Sequence, residues 1–478
     1  MSFNSIYFGL FLTIVFLLYW FVKNKNIKLQ NILLLVASYF FYTCWDWRFL
    51  FLLMFSTFLD YFSGLKISTA NNQNTKKLWF YISISINLGF LAAFKYFNFF
   101  AESFANLFAN FNVRIDPWTL KIILPVGISF YTFHGLSYVI DIYKNRIAPE
   151  RNYINYSLFV GFFPLLVAGP IERATHLLPQ IQKARIFDLT KAVDGMRQIL
   201  WGLFKKVVIA DQCATYANLI FENYTNETGS SLLLGAFFFS IQIYGDFSGY
   251  TDIAIGTAKL FGIDLLRNFS FPYFSRNIAE FWRRWHISLS TWFRDYVYIP
   301  LGGSKVSPVN KIRNIFIIFL LSGFWHGANW TFIVWGALNA IYILPSIIFN
   351  TNRNNLNTVA KGRIFPTFVE VLSMSFTFLL TVFAWIFFRS ENISQALYFI
   401  NEIFSMSLFT FPKLFPKMLI LLITIFFVVE WIGREEQFAI AKIESIKPIG
   451  IRWMLYYLIL LVIFNFAGSN EKFIYFQF

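Results

Sequence analysis

Charged residues are scarce in this sequence. They make up 14% of its 478 residues, where about 25% is usual in soluble domains. Apolar residues make up 57% of the sequence, against roughly 45–50% in soluble domains. The comparison value counts Gly and not Tyr as apolar, but the percentage is the same either way because each occurs 24 times. A soluble protein needs a mostly polar exterior, so this composition excludes an ordinary cytosolic enzyme, a disordered chain and a coiled coil. It leaves a protein embedded in lipid.

Cysteine and histidine are also rare. The two cysteines, Cys44 and Cys213, are too few for a disulfide scaffold and form no CxxC pair. They do not indicate whether the protein lies in an oxidising or a reducing compartment. The four histidines form neither HxH nor HExxH, so no metal site is expected. The sequence lacks the GxSxG nucleophile elbow. It also lacks an HxxxxD acyltransferase box, because no aspartate stands five residues after a histidine.

Acidic residues are fewer than basic ones, which gives a net charge of +15. A basic excess can indicate nucleic-acid binding. In a lipid-embedded chain, however, Lys and Arg in the loops hold cytoplasmic segments beside anionic lipid and set the topology, and this interpretation is favoured. No internal repeat is visible in the sequence, which argues against a transporter built from two inverted halves.

Apolar stretches recur along the chain, and several approach the about 20 residues that a membrane-spanning helix needs. They lie near residues 5–22, 30–44, 48–64, 78–94, 118–140, 153–171, 232–262, 312–327, 330–349, 367–388, 416–432 and 451–467. The first is followed, not preceded, by lysines, so we expect a retained helix and not a signal peptide. The pattern predicts an all-α multi-pass membrane protein of roughly ten to twelve transmembrane or re-entrant helices, in one integral membrane domain over residues 1–478.

The connecting segments are basic. Residues 65–77, 144–151 and 350–363 are polar and carry Lys or Arg, which predicts cytoplasmic loops. Residues 183–221 interleave Lys and Arg with apolar side chains, which predicts an amphipathic helix in the interface plane. The favoured role of this region is a topological anchor, and the alternative is a docking surface for an anionic cofactor or carrier.

The most polar stretch is FWRRWHISLSTWFRDYVYIPLGG at residues 281–303. Ionisable residues at membrane depth are costly and normally face a cavity or a partner. On a continuous helix, Arg283, His286, Ser290 and Arg294 share one face, because they follow one another at steps of three or four. The alternative is an interfacial girdle of Trp and snorkelling Arg, which explains those two residue types but not the histidine.

A second histidine, His326, lies in SGFWHGANWT at residues 322–331, inside an apolar run and between two glycines. An imidazole at this depth costs free energy unless it is hydrogen-bonded. It is either a satisfied core residue or a chemical group that a substrate approaches closely. His134 and His176 rank lower, because one lies in a predicted span and the other at a span end, where structural roles are common.

The third polar region is residues 242–277, where Asp246, Ser248, Asp252 and Lys259 interrupt an apolar helix. We expect Asp246 to pair with an arginine of residues 281–303, which satisfies both charges. The alternative is contact between Asp246 and a substrate.

Together these stretches resemble the membrane-bound O-acyltransferase family, in particular its bacterial alginate and peptidoglycan O-acetylation branch. The matching pieces are LPVGISFYTF (124–133), FFPLLVAGPIER (162–173), QIYGDFSGYTDIAIGTAKLFG (242–262), FWRRWHISLSTWFRDYVYIPLGG (281–303), FWHGANWTFIVWG (324–336) and FIYFQF (473–478). Relatives often have Gln in place of His134 and His in place of Asn339, so neither position is expected to need an imidazole.

The resemblance implies a fold of packed helices and re-entrant segments around a central tunnel, with a catalytic core at residues 242–340. An acyl thioester enters from the cytoplasm, the acceptor hydroxyl approaches from the other face, and the product is an ester. His326 is expected as general base, and His286 as the residue that orients the donor or stabilises the oxyanion. The other expected substrate-binding residues are Arg283, Arg284, Ser290, Arg294, Asp295, Asp246, Trp325 and Asn329.

No bound cofactor is expected; the donor is acetyl-CoA or another acyl thioester. Membrane lipids and an extracytoplasmic SGNH-type O-acetyltransferase are the expected partners, nucleic acid is not, and the expected location is the bacterial cytoplasmic membrane. Two alternatives stay open. One is transfer of D-alanine toward teichoic acid, and the other is a non-enzymatic transporter or scaffold for acyl groups.

Overall fold

A computed structural model of the protein describes residues 1–21, 26–120, 124–167, 169–468 and 473–474. These residues form twenty α-helices and no β-strand, which confirms the predicted all-α class. The helices are α1 Ile6–Phe21, α2 Ile27–Thr43, α3 Arg48–Thr69, α4 Gln73–Leu91, α5 Phe97–Ala109, α6 Ile128–Tyr143, α7 Tyr153–Gly161, α8 Phe163–Leu166, α9 Ala174–Gln182, α10 Leu189–Leu203, α11 Asp211–Glu222, α12 Gly229–Leu260, α13 Ile278–Arg284, α14 Ile287–Phe293, α15 Pro308–His326, α16 Trp330–Ile348, α17 Phe368–Arg389, α18 Ile393–Ile403, α19 Lys417–Ile432 and α20 Ile449–Phe466. Three π-helical stretches adjoin them, at Ala92–Tyr96, Phe204–Ala210 and Arg294–Tyr298.

Each predicted apolar stretch contains a helix. Within the described ranges, six helical stretches are long and apolar enough to cross a membrane: Arg48–Thr69, Gln73–Ala109, Gly229–Leu260, Trp330–Ile348, Phe368–Arg389 and Ile449–Phe466. The helices α1 and α2 are also apolar but shorter. The chain is therefore a multi-pass membrane protein, while the total number of crossings and the tunnel stay predictions.

Polar side chains at the loop ends begin several of the helices. The side-chain oxygens of Asn72, Ser307 and Asn329 accept backbone N–H groups at the starts of α4, α15 and α16. Thr367 and Glu370 form a reciprocal capping box at the start of α17. These side chains satisfy N–H groups that have no partner within the helix, which matters most where water is excluded.

One predicted span is broken. The stretch 153–171 folds as α7 and α8, separated at Phe162. Pro164 has no N–H with which to continue α7, and the N–H of Phe163 instead donates to the hydroxyl of Ser38 at 3.0 Å.

The chain divides into two compact units, and the first comprises Met1–Val193 with Thr257–Leu266. Its core holds a buried carboxyl group, Asp60 on α3. The side chains of Ser83 and Asn87 on α4 each donate to Asp60 at 2.7 Å. This polar network fixes how α3 and α4 pack, because a buried carboxyl group without such donors is costly.

The second unit comprises Asp194–Gly256 with Arg267–Phe478. Within it, α10 crosses α12 at Gly202 and Gly249. A Cβ atom on Gly202 would lie 2.6 Å from the carbonyl oxygen of Gly249, and one on Gly249 would lie 2.8 Å from that of Gly202. Only residues without a side chain allow the two backbones to come this close.

The helical region predicted over residues 183–221 is present as α10, the π-helical stretch Phe204–Ala210 and α11. Its amphipathic part is α10, where Leu189 and Met196 are exposed. Two of the basic residues in the predicted amphipathic pattern, Lys205 and Lys206, are buried. The wider π-helical turn rotates these two side chains inward, toward the acidic residues of α12.

Acidic residues of α11 and α12 complete a buried ionic network. The Nζ atom of Lys206 lies 2.8 Å from Asp246 and 2.7 Å from Asp211, and Lys205 pairs with Asp252. The expected pairing of Asp246 with an arginine of residues 281–303 is therefore wrong, because the lysine of the π-helical stretch takes that place. The other oxygen of Asp246 accepts the backbone N–H of Ile474 at 2.7 Å.

Candidate functional site

His326 is the last residue of α15, at the end of a close helix pair in the second unit. A Cβ atom on Gly323 would lie 2.2 Å from the carbonyl oxygen of Phe332, and one on Gly336 would lie 2.4 Å from that of Phe319. The small residues let α15 and α16 touch along their backbones. His326 is therefore held at the turn between two helices and is only 4% exposed.

His286 sits at a break in the helix. The α13 helix ends at Arg284, and His286 adopts left-handed backbone angles (φ +42°) before α14 begins. The expectation that Arg283, His286, Ser290 and Arg294 share a face of one helix is therefore wrong. Backbone hydrogen bonds with the segment that begins at Asn268 hold the helix open at this point. The carbonyl oxygen of Asn268 accepts the N–H of Ile287, and the N–H of Ser270 donates to the carbonyl oxygen of Arg284.

The fold brings the two histidines together, although they are distant in the sequence. Their ring centroids lie 6.5 Å apart, and the ring of Trp325 lies 6.0 Å from His286 and 4.9 Å from His326. His286 is 1% exposed. The two imidazoles are therefore neighbours in the folded protein, as a reaction that uses both of them requires.

Aromatic rings enclose the pair. Trp335 and Phe388 lie 5.2 Å and 5.3 Å from His326, and Phe247 lies 4.7 Å from His286. Trp385 stacks on Trp335 at 5.5 Å. These walls exclude water, so hydrogen bonds and charges inside act in a medium of low polarity and are strengthened.

Two of the expected substrate-binding arginines hold a loop of the protein itself. Arg283 donates to the carbonyl oxygen of Asn355 at 2.8 Å. Arg284 donates to that of Asn357 and forms an ion pair with Glu280 at 2.8 Å. Both arginines therefore anchor the loop between α16 and α17.

The remaining expected residues are spread over the second unit. Arg294 is exposed and pairs with Asp295 at 2.7 Å, and Ser290 donates to the carbonyl oxygen of Trp285. Asn329 caps α16 and donates to the carbonyl oxygen of Glu391. Of the eight, Trp325 is the one whose ring contacts the histidine pair.

The other two histidines have structural partners in the first unit. His134 accepts the N–H of Glu172 at 3.1 Å, and His176 donates to the carboxylate of Glu172 at 2.8 Å. The hydrogen bond to Glu172 raises the pKa of His176 above its usual value. Neither ring forms part of the site at His286 and His326.

Asn268 was missed by the sequence reasoning. Its side-chain oxygen lies 3.3 Å from Nδ1 of His286, and the residue also lines a small cavity. That cavity is also lined by Lys205, Asp252, Arg267 and Glu430. A short polar motif, RNFS, was the only signal, and nothing in it indicated contact with a histidine eighteen residues later.

The described residues contain no group of three His, Cys, Asp or Glu side chains that could hold a metal ion. The arrangement is a buried pair of imidazoles among aromatic rings, which suits proton transfer during acyl or similar group transfer. The geometry thus defines the class as a polytopic membrane protein with a paired-histidine centre.

The chain belongs to the membrane-bound O-acyltransferase (MBOAT) family, whose model matches residues 144–387. The matched residues include both histidines, which lie at positions 286 and 326. The protein is therefore an acyltransferase enzyme, and like its bacterial relatives it is a multi-pass protein of the inner membrane.

Three curated relatives cover much of the chain. A Pseudomonas putida protein named "Probable alginate O-acetylase AlgI" is 39% identical over 84% of this chain and 80% of its own length. A peptidoglycan O-acetyltransferase of Helicobacter pylori is 36% identical over 81% of this chain and 76% of its own. A teichoic acid D-alanyltransferase of Bacillus subtilis is 28% identical over 56% of this chain and 69% of its own.

Proposed function

We propose that the protein transfers an acetyl group from a cytoplasmic thioester to a hydroxyl group, for O-acetylation of an extracytoplasmic polysaccharide or peptidoglycan. The observation that carries this proposal is the enclosed pair His286 and His326, 6.5 Å apart in a chain whose O-acetylating relatives match more than four fifths of it. The acyl group is acetyl because both of those relatives are O-acetylases by name.

His326 is proposed as the general base. The acceptor O–H bond breaks while its oxygen attacks the thioester carbonyl, so that a C–O bond forms and the C–S bond breaks. The proton passes from the hydroxyl group to the imidazole of His326 and from there to the leaving thiolate. A neutral imidazole suits this exchange, because its usual pKa lies near 6.5. His286 orients the donor or stabilises the oxyanion.

Acetyl-CoA is proposed as the donor. Of the three arginines considered for its phosphates, Arg294 has the best placement, because its side chain is 58% exposed and pairs with the neighbouring Asp295. Guanidinium groups bind phosphate through forked donors. Arg283 and Arg284 already donate to backbone carbonyl groups.

Transfer to polymer is proposed to involve an extracytoplasmic SGNH-type partner. Such a partner is proposed because a membrane enzyme delivers acetyl at the far side of the bilayer, whereas a polymer chain extends well beyond it. The acceptor hydroxyl at this site therefore belongs either to the polymer or to a partner that passes the acetyl group on.

Ester-bound acetate in the cell envelope tests the proposal. The gene is deleted and then complemented with wild type, His326→Ala or His176→Gln, and acids released by mild base from purified envelope polymers are measured. Wild type and His176→Gln are expected to restore acetate, because His176 lies outside the site. His326→Ala is expected to reduce it at least about a hundredfold, the contribution of a general base.

Membrane extracts must contain the variants in equal folded amounts for this comparison. Near-normal acetate in His326→Ala cells contradicts the role of His326. Loss and recovery of ester-bound D-alanine in place of acetate supports the second candidate, teichoic acid D-alanylation. That candidate is retained because the Bacillus subtilis relative is 28% identical over 277 residues.

A further inference from the structure

The amide group of Asn268 is completely buried and faces three groups. Its side-chain oxygen lies 2.6 Å from the hydroxyl of Ser288, 3.3 Å from the backbone nitrogen of Ser288, and 3.3 Å from Nδ1 of His286. The backbone oxygen of Asn268 additionally accepts the N–H of Ile287. One asparagine therefore holds both the imidazole of His286 and the backbone that follows it.

The backbone N–H of Ser288 fixes which way the amide of Asn268 faces, and the amide in turn fixes which ring nitrogen of His286 carries the hydrogen. A backbone nitrogen only donates, so the Asn268 atom in front of it is the oxygen and not the NH₂ group. An amide oxygen only accepts, so the Nδ1 atom that faces it carries a hydrogen. In the neutral ring, Nε2 then has a lone pair and no hydrogen.

The surroundings of His286 favour that neutral ring. Its imidazole packs against Phe247, Phe269 and Trp325, at centroid distances of 4.7, 6.5 and 6.0 Å. Such an apolar environment disfavours the charged form. Nε2 is buried and has no hydrogen-bond partner among the described residues.

We propose that Asn268 is a positioning residue that fixes His286 in the Nδ1–H tautomer, so that Nε2 accepts a hydrogen bond from an N–H or O–H group of the substrates. The inference rests on the proposed function and chooses between the two roles left open there. A neutral ring with its hydrogen on Nδ1 has no N–H at Nε2. His286 in this form orients a substrate and cannot donate a hydrogen bond to the oxyanion.

Two substrate groups have the required chemistry. One is an amide N–H of the thioester's pantetheine arm, and the other is the acceptor hydroxyl group. In both cases the substrate donates and Nε2 accepts. A thioester analogue whose amide N–H is methylated separates them, because only the first source loses its hydrogen bond.

The test is the ¹⁵N spectrum of histidine-labelled full-length protein in lipid. The chain has four histidines, and loss of one signal pair in His286→Gln assigns the pair of interest. Protonated and unprotonated ring nitrogens resonate far apart, so the spectrum reports the tautomer directly. We expect a protonated Nδ1 and an unprotonated Nε2 at His286 in wild type.

Three variants separate positioning from folding. Ser288→Ala removes the hydroxyl but keeps the backbone N–H, so the Nδ1–H signal is expected to persist. Asn268→Asp keeps an acceptor oxygen and is expected to preserve the tautomer, with Lys205 and Arg267 lining the same cavity to offset its charge. Asn268→Leu removes the acceptor and is expected to give mixed tautomers and at least about tenfold lower kcat/KM.

A protonated Nε2 in wild type overturns the proposal, as does an unchanged spectrum with full activity in Asn268→Leu. If Asn268→Leu does not fold, the wild-type spectrum and Asn268→Asp still decide. The spectra are recorded without substrate turnover, so they report the tautomer even if the protein does not transfer acetyl groups. Conversely, a wrong tautomer in an active acetyltransferase rejects only the positioning role of Asn268.

Discussion

The two site histidines are held by different means. His326 ends a helix that backbone contacts pack tightly against its neighbour, whereas His286 occupies a left-handed turn between two short helices. A non-glycine residue with positive φ is strained and persists only where its surroundings enforce it. At His286 those surroundings include the hydrogen bonds that Asn268 accepts from Ile287 and Ser288.

His176 provides a prediction on pH at the residue scale. The hydrogen bond to Glu172 raises the pKa of His176 in the folded state. The stabilisation is therefore fully present below the unfolded pKa of about 6.5 and is lost as the pH rises through the higher folded pKa. In melting experiments on purified protein, His176→Gln is expected to lower Tm more at pH 5.5 than at pH 8.5.

The size of this effect is limited by exposure. The His176 side chain is 36% exposed, so solvent screening holds the contribution to at most about 1 kcal/mol, and added salt should reduce it further. An equal loss of Tm at both pH values would show that Gln disturbs packing and that the charge of His176 contributes nothing.

The sequence indicates which residues are candidates for the site, but it says less about which residues they contact. His286 and His326 stand out because a histidine is rare in an apolar chain and costly to bury. Asn268 does not stand out, because its role depends on a turn at His286 that no local propensity predicts. Likewise, the partners of Asp246 could not be predicted, since they depend on how α10 packs against α12.

At the scale of elements, the sequence predicts helices well and their irregularities poorly. All twelve apolar stretches contain helices, because apolar runs in lipid must satisfy their backbone hydrogen bonds internally. The π-helical turn at Phe204–Ala210 has no comparable signal. It follows from tertiary contacts, since it lets Lys205 and Lys206 reach buried carboxylates that would otherwise lack compensation.

The loop between α16 and α17 gives a prediction that separates anchoring from donor binding. Arg283 is expected to anchor this loop through the carbonyl oxygen of Asn355, and Arg294 is expected to contact a donor phosphate. Arg283→Ala should therefore speed tryptic cleavage within residues 350–363, where Arg353 and Lys361 provide sites. Arg294→Ala should raise the KM for acetyl-CoA roughly fivefold, because an exposed charge pair contributes at most about 1 kcal/mol.

Each of the two variants is the control for the other. Arg294→Ala should leave the cleavage rate of the loop unchanged, because its side chain pairs locally with Asp295. An unchanged KM in Arg294→Ala together with a raised KM in Arg283→Ala would reverse the assignment. The donor phosphates would then be placed at the loop and not at Arg294.

At the scale of the whole molecule, composition and fold agree. The sequence has too little charge for a soluble protein, and six described helical stretches are long and apolar enough to span a bilayer. The proposed reactive centre lies within the second unit, and the family match covers both of its histidines. Acyl transfer in this setting needs a pocket that excludes water, because hydrolysis of the thioester competes with transfer.

The most direct test of the account is release of free CoA thiol from labelled acetyl-CoA by the purified protein in liposomes. Wild type is compared with His326→Ala at equal amounts of folded protein, with a soluble hydroxyl acceptor present. The account predicts thiol release and labelled ester with wild type and at least about a hundredfold less with His326→Ala. Equal rates in the two proteins would contradict His326 as the base, and labelled acetyl crossing the bilayer without ester formation would instead identify a transporter.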